Sequence, residues 1–180
     1  MRVFLIRHAH AVEAAENALR PLSPKGRGQV RALATFLAPT GAFDPEEIWH
    51  SPLARSRESA ELLASQLRLK AKLRLITGLE PEDDPWLAVK KIEAADGPFA
   101  IVGHEPQLSA VASLLVTGRA EPVAFAMKKC AALALERVEG DRSRERERVD
   151  GSKASTRSRS QLPHVAHWRV RWHVSPEVIA

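Results

Sequence analysis

Cysteine is almost absent from this chain, and the shortage narrows its chemistry at once. Cys130 is the single thiol among 180 residues, so no intramolecular disulfide can form and a reducing compartment fits. No Cys/His pair stands at the spacing of a zinc site, which leaves no metal to be expected. No stretch approaches the ~20 consecutive apolar residues of a helical membrane span. The apolar run near the start is too short for a signal-peptide core, and Arg7 and His8 interrupt it. These absences predict a cytoplasmic protein with no membrane attachment. No internal repeat is visible, and the length suits one domain over residues 1–180 with a substantial core.

Charge of one sign is in excess, but not where it would grip a nucleic acid. The formal net charge is +5. Residues 141–160 hold seven basic side chains (Arg142, Arg144, Arg146, Arg148, Lys153, Arg157, Arg159) and four acidic ones (Asp141, Glu145, Glu147, Asp150), so +3 of the excess sits there. Mixed signs dilute the field such a segment can project. Val149 is its one sizeable apolar residue, too little burial to offset chain entropy. The composition predicts a mobile insertion at about 141–163 and no specific nucleic-acid partner.

What is present is a regular alternation of strand and helix signals. Arg2–Ile6 reads as a buried strand of the parallel-sheet kind. Ala11–Arg20 reads as a loop or a short helix. Ser23 then caps a helix with Pro24 at its first position and Val30, Leu33, Ala34 and Leu37 on one face, ended by Pro39 and Gly41. Glu47–His50 is a short strand. Ser51 and Pro52 repeat the cap-plus-proline pattern, predicting a helix to about Leu67 with Leu53, Ala60, Leu63 and Leu67 inward. Further along come a strand at Leu73–Ile76, a helix at Pro85–Ala95, a strand at Phe99–Val102 and a helix at Pro106–Val116. The end departs from this rhythm. Cys130–Val138 and His167–Val174 alternate as strands, with Trp168, Val170 and Trp172 expected on one face, and can pair as an antiparallel hairpin. The whole implies a three-layer α/β/α sandwich with a mostly parallel central sheet.

The chemically charged residues fall just past the strands. Arg7 and His8 follow the first, Arg55 lies early in the helix after the second, and His104 follows the Phe99–Val102 strand. Open α/β sheets bind ligands at that edge. Two arginines and two histidines should therefore meet in one pocket, with helix amino termini aimed at it, which suits a phosphoryl group. A neutral imidazole at His8 could serve as nucleophile, with Arg7, Arg55 and a protonated His104 holding the phosphoryl oxygens. The alternatives are an ordinary strand-end ion pair at Arg7 and a satisfied core histidine at His8. His10 reads as solvent-facing or supporting, His50 as structural, and His164, His167 and His173 as incidental to the hairpin.

Three fragments in this order resemble the signatures of the histidine phosphatase superfamily, also called phosphoglycerate mutase-like. Arg7-His8-Ala9 stands for its "RHG", Ser51-Pro52-Leu53-Ala54-Arg55 for its "SPxxR", and Gly103-His104 for its late "GH". Arg20-Pro21-Leu22-Ser23-Pro24-Lys25-Gly26 is similar to the "RPLT-x-x-G" of the SixA-type branch of small phosphohistidine phosphatases. The resemblance runs from Met1 to about Leu135 and resumes near His167. It implies a phosphatase acting through a covalent phosphohistidine on His8, with no cofactor and with Arg7, Arg55, His104 and Arg20 as substrate-binding residues. The family's general-acid position falls at Pro81, between Glu80 and Glu82; either carboxylate could substitute, or the segment is a solvated acidic loop. A missing acid and little room for a lid between Arg55 and His104 point to phosphohistidine on a phosphotransfer-type protein, served by a monomer. The competing expectations are a broad-specificity phosphomonoesterase, a mutase, and a phosphate-binding module without turnover.

Overall fold

In the computed structural model, the described residues are 1–138 and 167–179. The insertion expected at about 141–163 lies outside them, as does His164. The strands are β1 (Arg2–Arg7), β2 (Glu47–His50), β3 (Lys72–Leu75), β4 (Phe99–Gly103), β5 (Ala132–Arg137) and β6 (Trp168–Val174). The helices are α1 (Pro24–Leu37), α2 (Ala54–Gln66), α3 (Pro85–Glu93), α4 (Gln107–Thr117) and a short α5 (Pro176–Ile179). One six-stranded sheet results, in the order β3-β2-β4-β1-β5-β6. β1, β2, β3 and β4 run parallel, β5 adds antiparallel to β1, and β6 adds antiparallel to β5. This is the expected α/β/α sandwich.

The alternation of side chains along each strand divides the core in two. Phe4, Ile6, Ile48, Ala100 and Val102 pack against Val30, Leu33 and Leu37 of α1 and Ala60 and Leu63 of α2. Val3, Leu5, Phe99 and Ile101 face the other way, against Val89 and Ile92 of α3 and Leu108, Val111 and Leu115 of α4. Burial on both sides explains why β1 and β4 are unbroken apolar runs. Each fully buried large side chain, such as Phe4 or Ile101, contributes about 1.5–3 kcal/mol against exposure. No helix among the described residues is long and apolar enough to cross a membrane.

Several local expectations need correction. The second helix begins at Ala54 rather than at Pro52, and its N-cap, Leu53, supplies no side-chain bond. Ser51 Oγ accepts from Leu53 N–H at 3.3 Å just ahead of the helix and also lies 2.6 Å from His104 Nε2. β3 starts and ends one residue early, and all four of its residues are exposed because it is the sheet's edge. Ala11–Arg20 forms turns and loop rather than helix, closed by a bridge between Ala11 and Leu22. The tryptophans of β6 do not share a face. The register shifts between Ala134 and Leu135, which pair with Trp172 and Val170 respectively, so Arg171 is an extra residue. Such a bulge flips the phase of everything beyond it, sending Trp168 into the core half of Leu5 while Trp172 packs against that of Phe4.

Candidate active site

β1 and β4 are neighbours that end level, Arg7 standing opposite Gly103. The residues that follow therefore lie side by side. His8 N–H donates to the Gly103 carbonyl at 3.0 Å, and the rings of His8 and His104 are 4.9 Å apart at their centres. Arg55 enters from the first turn of α2, which follows β2 on the other side of β4. Both guanidiniums, Arg7 and Arg55, act electrostatically on both imidazoles. The four residues picked from the sequence are thus brought together.

His8 is held in a defined tautomer. Its Nδ1 lies 2.7 Å from the Ala9 carbonyl, which can only accept, so Nδ1 carries the proton and Nε2 keeps its lone pair. Burial, then the charges of Arg55, Arg7 and Lys129, push its pKa down to about 4 against the opposing pull of the Ala9 carbonyl. The ring is neutral at pH 7 with a free nitrogen, which is what a nucleophile requires.

The charge of His104 depends on what faces it. It is 1% exposed, and burial, followed by His8, Arg55 and Arg7, lowers its pKa to about 3. The ring is therefore neutral in the unliganded pocket, because nothing anionic faces it while two guanidiniums do. Ser51 Oγ sits 2.6 Å from its Nε2, and its Nδ1 is buried without a partner. Arriving phosphoryl oxygens would reverse the field and favour the imidazolium.

The arginines are anchored without being neutralised. Arg7 Nη1 donates to the Met127 carbonyl at 2.9 Å, while its buried Nε has no partner. Among the described residues neither Arg7 nor Arg55 has a carboxylate within ion-pair distance. Burial and Arg20 lower the Arg55 pKa, and Glu80 opposes them from the third-strand loop. Glu80 N–H is held at 2.7 Å by Asp83 Oδ2, whereas Glu82 points into solvent. Arg20 occupies left-handed backbone, φ 50°, and its Nε donates to the Val12 carbonyl at 3.2 Å.

The "RPLS-x-x-G" stretch shapes the wall. Ser23 Oγ accepts from Gly26 N–H at 3.1 Å and lies 2.8 Å from His10 Nδ1. A Cβ on Gly26 would stand 2.0 Å from the His10 carbonyl oxygen, so only glycine lets α1 approach the loop. His50 is structural, its Nδ1 2.9 Å from the Ser51 carbonyl. Among the described residues no three His, Cys, Asp or Glu side chains gather as metal ligands.

Three neighbours of the site escaped the sequence. Ser51 was visible only as a cap. Glu105 follows His104; burial raises its pKa, Arg7 opposes, and its Oε1 is buried without a partner. Lys129 reaches the site through a turn in which Cys130 N–H meets the carbonyls of Arg7 and His8 at 3.1 and 3.2 Å. For Ser51 the signal was its place within the arginine motif; for the other two there was none.

Known proteins agree with this geometry. A profile of the histidine phosphatase superfamily (branch 1) matches residues 3–79. An uncharacterized protein of Picosynechococcus is 33% identical over 128 residues, 66% of this chain and 75% of that one. Phosphohistidine phosphatase SixA of Escherichia coli is 25% identical over 128 residues, 68% of this chain and 79% of SixA. The solved structure of the protein histidine phosphatase SixA with tungstate matches with a TM-score of 0.73 over 100% of both chains, at 19% identity. The fold likeness extends to an alpha-ribazole phosphatase from Shigella flexneri, TM-score 0.61 over 77% of this chain and 92% of that one, also at 19% identity. Arg7 and His8 lie within the matched residues and His104 beside them at the end of the neighbouring strand; the chain belongs to the histidine phosphatase superfamily and is a phosphatase.

Proposed function

We propose that this phosphatase hydrolyses phosphohistidine on a protein. His8 Nε2 attacks phosphorus as the P–N bond to the substrate imidazole breaks; that ring, already protonated on its other nitrogen, keeps the bonding pair and departs as a neutral imidazole. Water then attacks the phosphorus of the His8 phosphoramidate, releasing inorganic phosphate and restoring the free nitrogen. Arg7, Arg55 and His104 bind the phosphoryl oxygens, and positioning with charge neutralisation supplies most of the catalysis. The observation that carries the substrate choice is the field at the nucleophile: Arg55, Arg7 and Lys129 bear on His8, and among the described residues no carboxylate does. A phosphohistidine protonated on its ring expels a neutral imidazole with little help, whereas an alkoxide needs an acid. Residues 56–103 are taken up by α2, β3, α3, β4 and their connections, leaving the entrance open to a protein side chain. In this reading the partner is a cytoplasmic phosphotransfer protein, the enzyme acts as a monomer, and the binding groups are all its own.

A second reading is favoured by one nearby charge. Glu80 acts electrostatically on Arg55, and a protonated carboxyl group there could give its proton to a departing alkoxide, making a phosphomonoesterase of small esters. Turnover of a phosphohistidine protein is measured beside that of aryl and alkyl phosphates, for the parent and for Glu80→Gln. Faster turnover of the protein, scarcely changed by the substitution, supports the first reading; faster ester turnover that collapses in Glu80→Gln replaces it with the second. An acid-labile phosphoenzyme that disappears in His8→Ala separates both from a phosphate-binding module.

A further inference from the structure

Beside the phosphoryl pocket lies a group of cations to which no phosphoryl oxygen has been assigned above. The amino end of α1 packs on the loop after β1: Ser23 N–H donates to the His10 carbonyl at 3.0 Å and His10 Nδ1 meets Ser23 Oγ at 2.8 Å. Lys25, the second residue of α1, is thereby set beside His10. From the opposite side comes the 128–131 turn, closed by Ala131 N–H to the Lys128 carbonyl at 2.8 Å and tied to β1 through Cys130, whose φ is 62°. That turn separates its two lysines. Lys128 pairs with Glu177 at 2.6 Å; Lys129 has no carboxylate within ion-pair distance among the described residues and bears on both His8 and His10. Arg20 stands at the margin, 3.8 Å from Glu13, a carboxylate whose side chain is 67% exposed. After burial, Lys129, Lys25 and Arg20 all press the His10 imidazole below its ordinary pKa, with Glu13 opposing.

Nearby on the same helix as Lys25, by contrast, Arg27 meets Glu58 at 3.1 Å. Leaving Lys25 and Lys129 unpaired around one imidazole costs repulsion, which an anion would turn into attraction.

We infer that Lys25 and Lys129, flanking His10 with Arg20 at the edge, form a second anion subsite that takes a carboxylate or phosphoryl group carried by the same substrate. Lys129 acts electrostatically on both imidazoles and so links this subsite to the phosphoryl pocket. The inference deepens the proposed function, on which it relies for the position of the first phosphoryl group. Two sources could bring the second anion: an Asp or Glu beside the phosphohistidine of a protein, or a second acidic group on a small ester.

Two substrate pairs distinguish them. One pair is a phosphohistidine peptide with flanking glutamates and the same peptide with glutamines; the other is phosphoglycolate and ethyl phosphate. In the parent enzyme the acidic member of at least one pair should show kcat/KM about tenfold higher, the effect of one charge-assisted contact. In Lys25→Gln/Lys129→Gln that ratio should fall to within about twofold, while Lys128→Gln leaves it unaltered. Lys25→Gln alone, at an exposed helix position, should lower the ratio in part and serves if the double variant does not fold. A ratio confined to the peptides assigns the subsite to an acidic protein segment; one confined to the esters assigns it to a small diacid. Ratios near one for both pairs in the parent, or a ratio that survives the substitutions, overturn the inference. Idle peptides with a lysine-dependent ratio in the esters would sink the phosphohistidine reading and leave the subsite standing.

Discussion

At the amino ends of the parallel strands each arginine meets a carboxylate. Arg2 lies 2.6 Å from Asp44, Arg74 3.0 Å from Glu47, and Arg137 3.5 Å from Glu93, which also accepts from Trp168 Nε1 at 2.8 Å. At the carboxyl ends Arg7 donates to a carbonyl, Arg55 has no ion-pair partner among the described residues, and two buried imidazoles refuse protons. The same residue types are neutralised at one end of the sheet and left charged at the other. Partly exposed pairs of the first kind stabilise by about 0–1 kcal/mol each. Crowded cations of the second kind cost stability and hold the potential that an arriving phosphoryl group cancels. The contrast separates residues kept for the fold from residues kept for binding.

Exchanging one arginine at each end tests the contrast most severely. Arg55→Ala should lower kcat/KM by roughly 10²–10³-fold, the effect of losing one oxyanion donor, with Tm unchanged or raised because a like charge has gone. Arg137→Ala should do the reverse: kcat/KM within about twofold, stability lower by about 1–2 kcal/mol as its bond to the Glu93 carbonyl is lost. Steady-state kinetics and urea unfolding on both variants decide it, and a stability loss at Arg55 matching that at Arg137 would erase the distinction.

The acid response sharpens it. Free imidazoles titrate near 6.5, but in the fold His8 and His104 are lowered to about 4 and about 3. Between these values the unfolded chain binds more protons than the folded one, so stability is full above pH 6.5 and falls as pH drops through about 4 to 3. Each unit of displacement corresponds to roughly 1.4 kcal/mol before solvent screening. The urea midpoint should fall across that window, and saturating inorganic phosphate should flatten the fall by favouring the protonated rings. A midpoint constant from pH 7 to 4 without phosphate would contradict the cationic corner.

The smallest effect belongs to Ser51→Ala. Freeing His104 Nε2 from its 2.6 Å contact should cost about tenfold in kcat/KM, most of it in KM, since a lost orienting hydrogen bond is worth about 1 kcal/mol. Inhibition by phosphate should weaken in parallel. A larger loss in kcat with KM unmoved would assign Ser51 to the chemical step instead.

What could be read in advance follows from the range of each interaction. β1 and β4 were legible because burial on both faces demands unbroken apolar runs, and the residues after them were legible because parallel strands must end together. That logic located Arg7, His8, Arg55 and His104. It could not see Ser51 as the partner of His104, because a serine before a proline is locally indistinguishable from a cap. It could not see Lys129, placed by a turn whose partners lie on β1, nor the bulge at Arg171, where one inserted residue reverses a phase that local spacing assumes constant. Nor could it see how strongly the assembled pocket controls the His104 proton, which depends on burial beside His8 and two guanidiniums.

Gly26 draws the last of these lines. With the His10 carbonyl oxygen 2.0 Å from where a methyl would sit, this position accepts one amino acid although it never meets the substrate. In a saturation scan it would be as intolerant as His8, and a map of intolerance alone would mistake a clearance for a catalyst. Comparing alanine with every larger residue tells them apart: a reacting atom is missed in proportion to its chemistry, whereas a clearance is lost with the first carbon added.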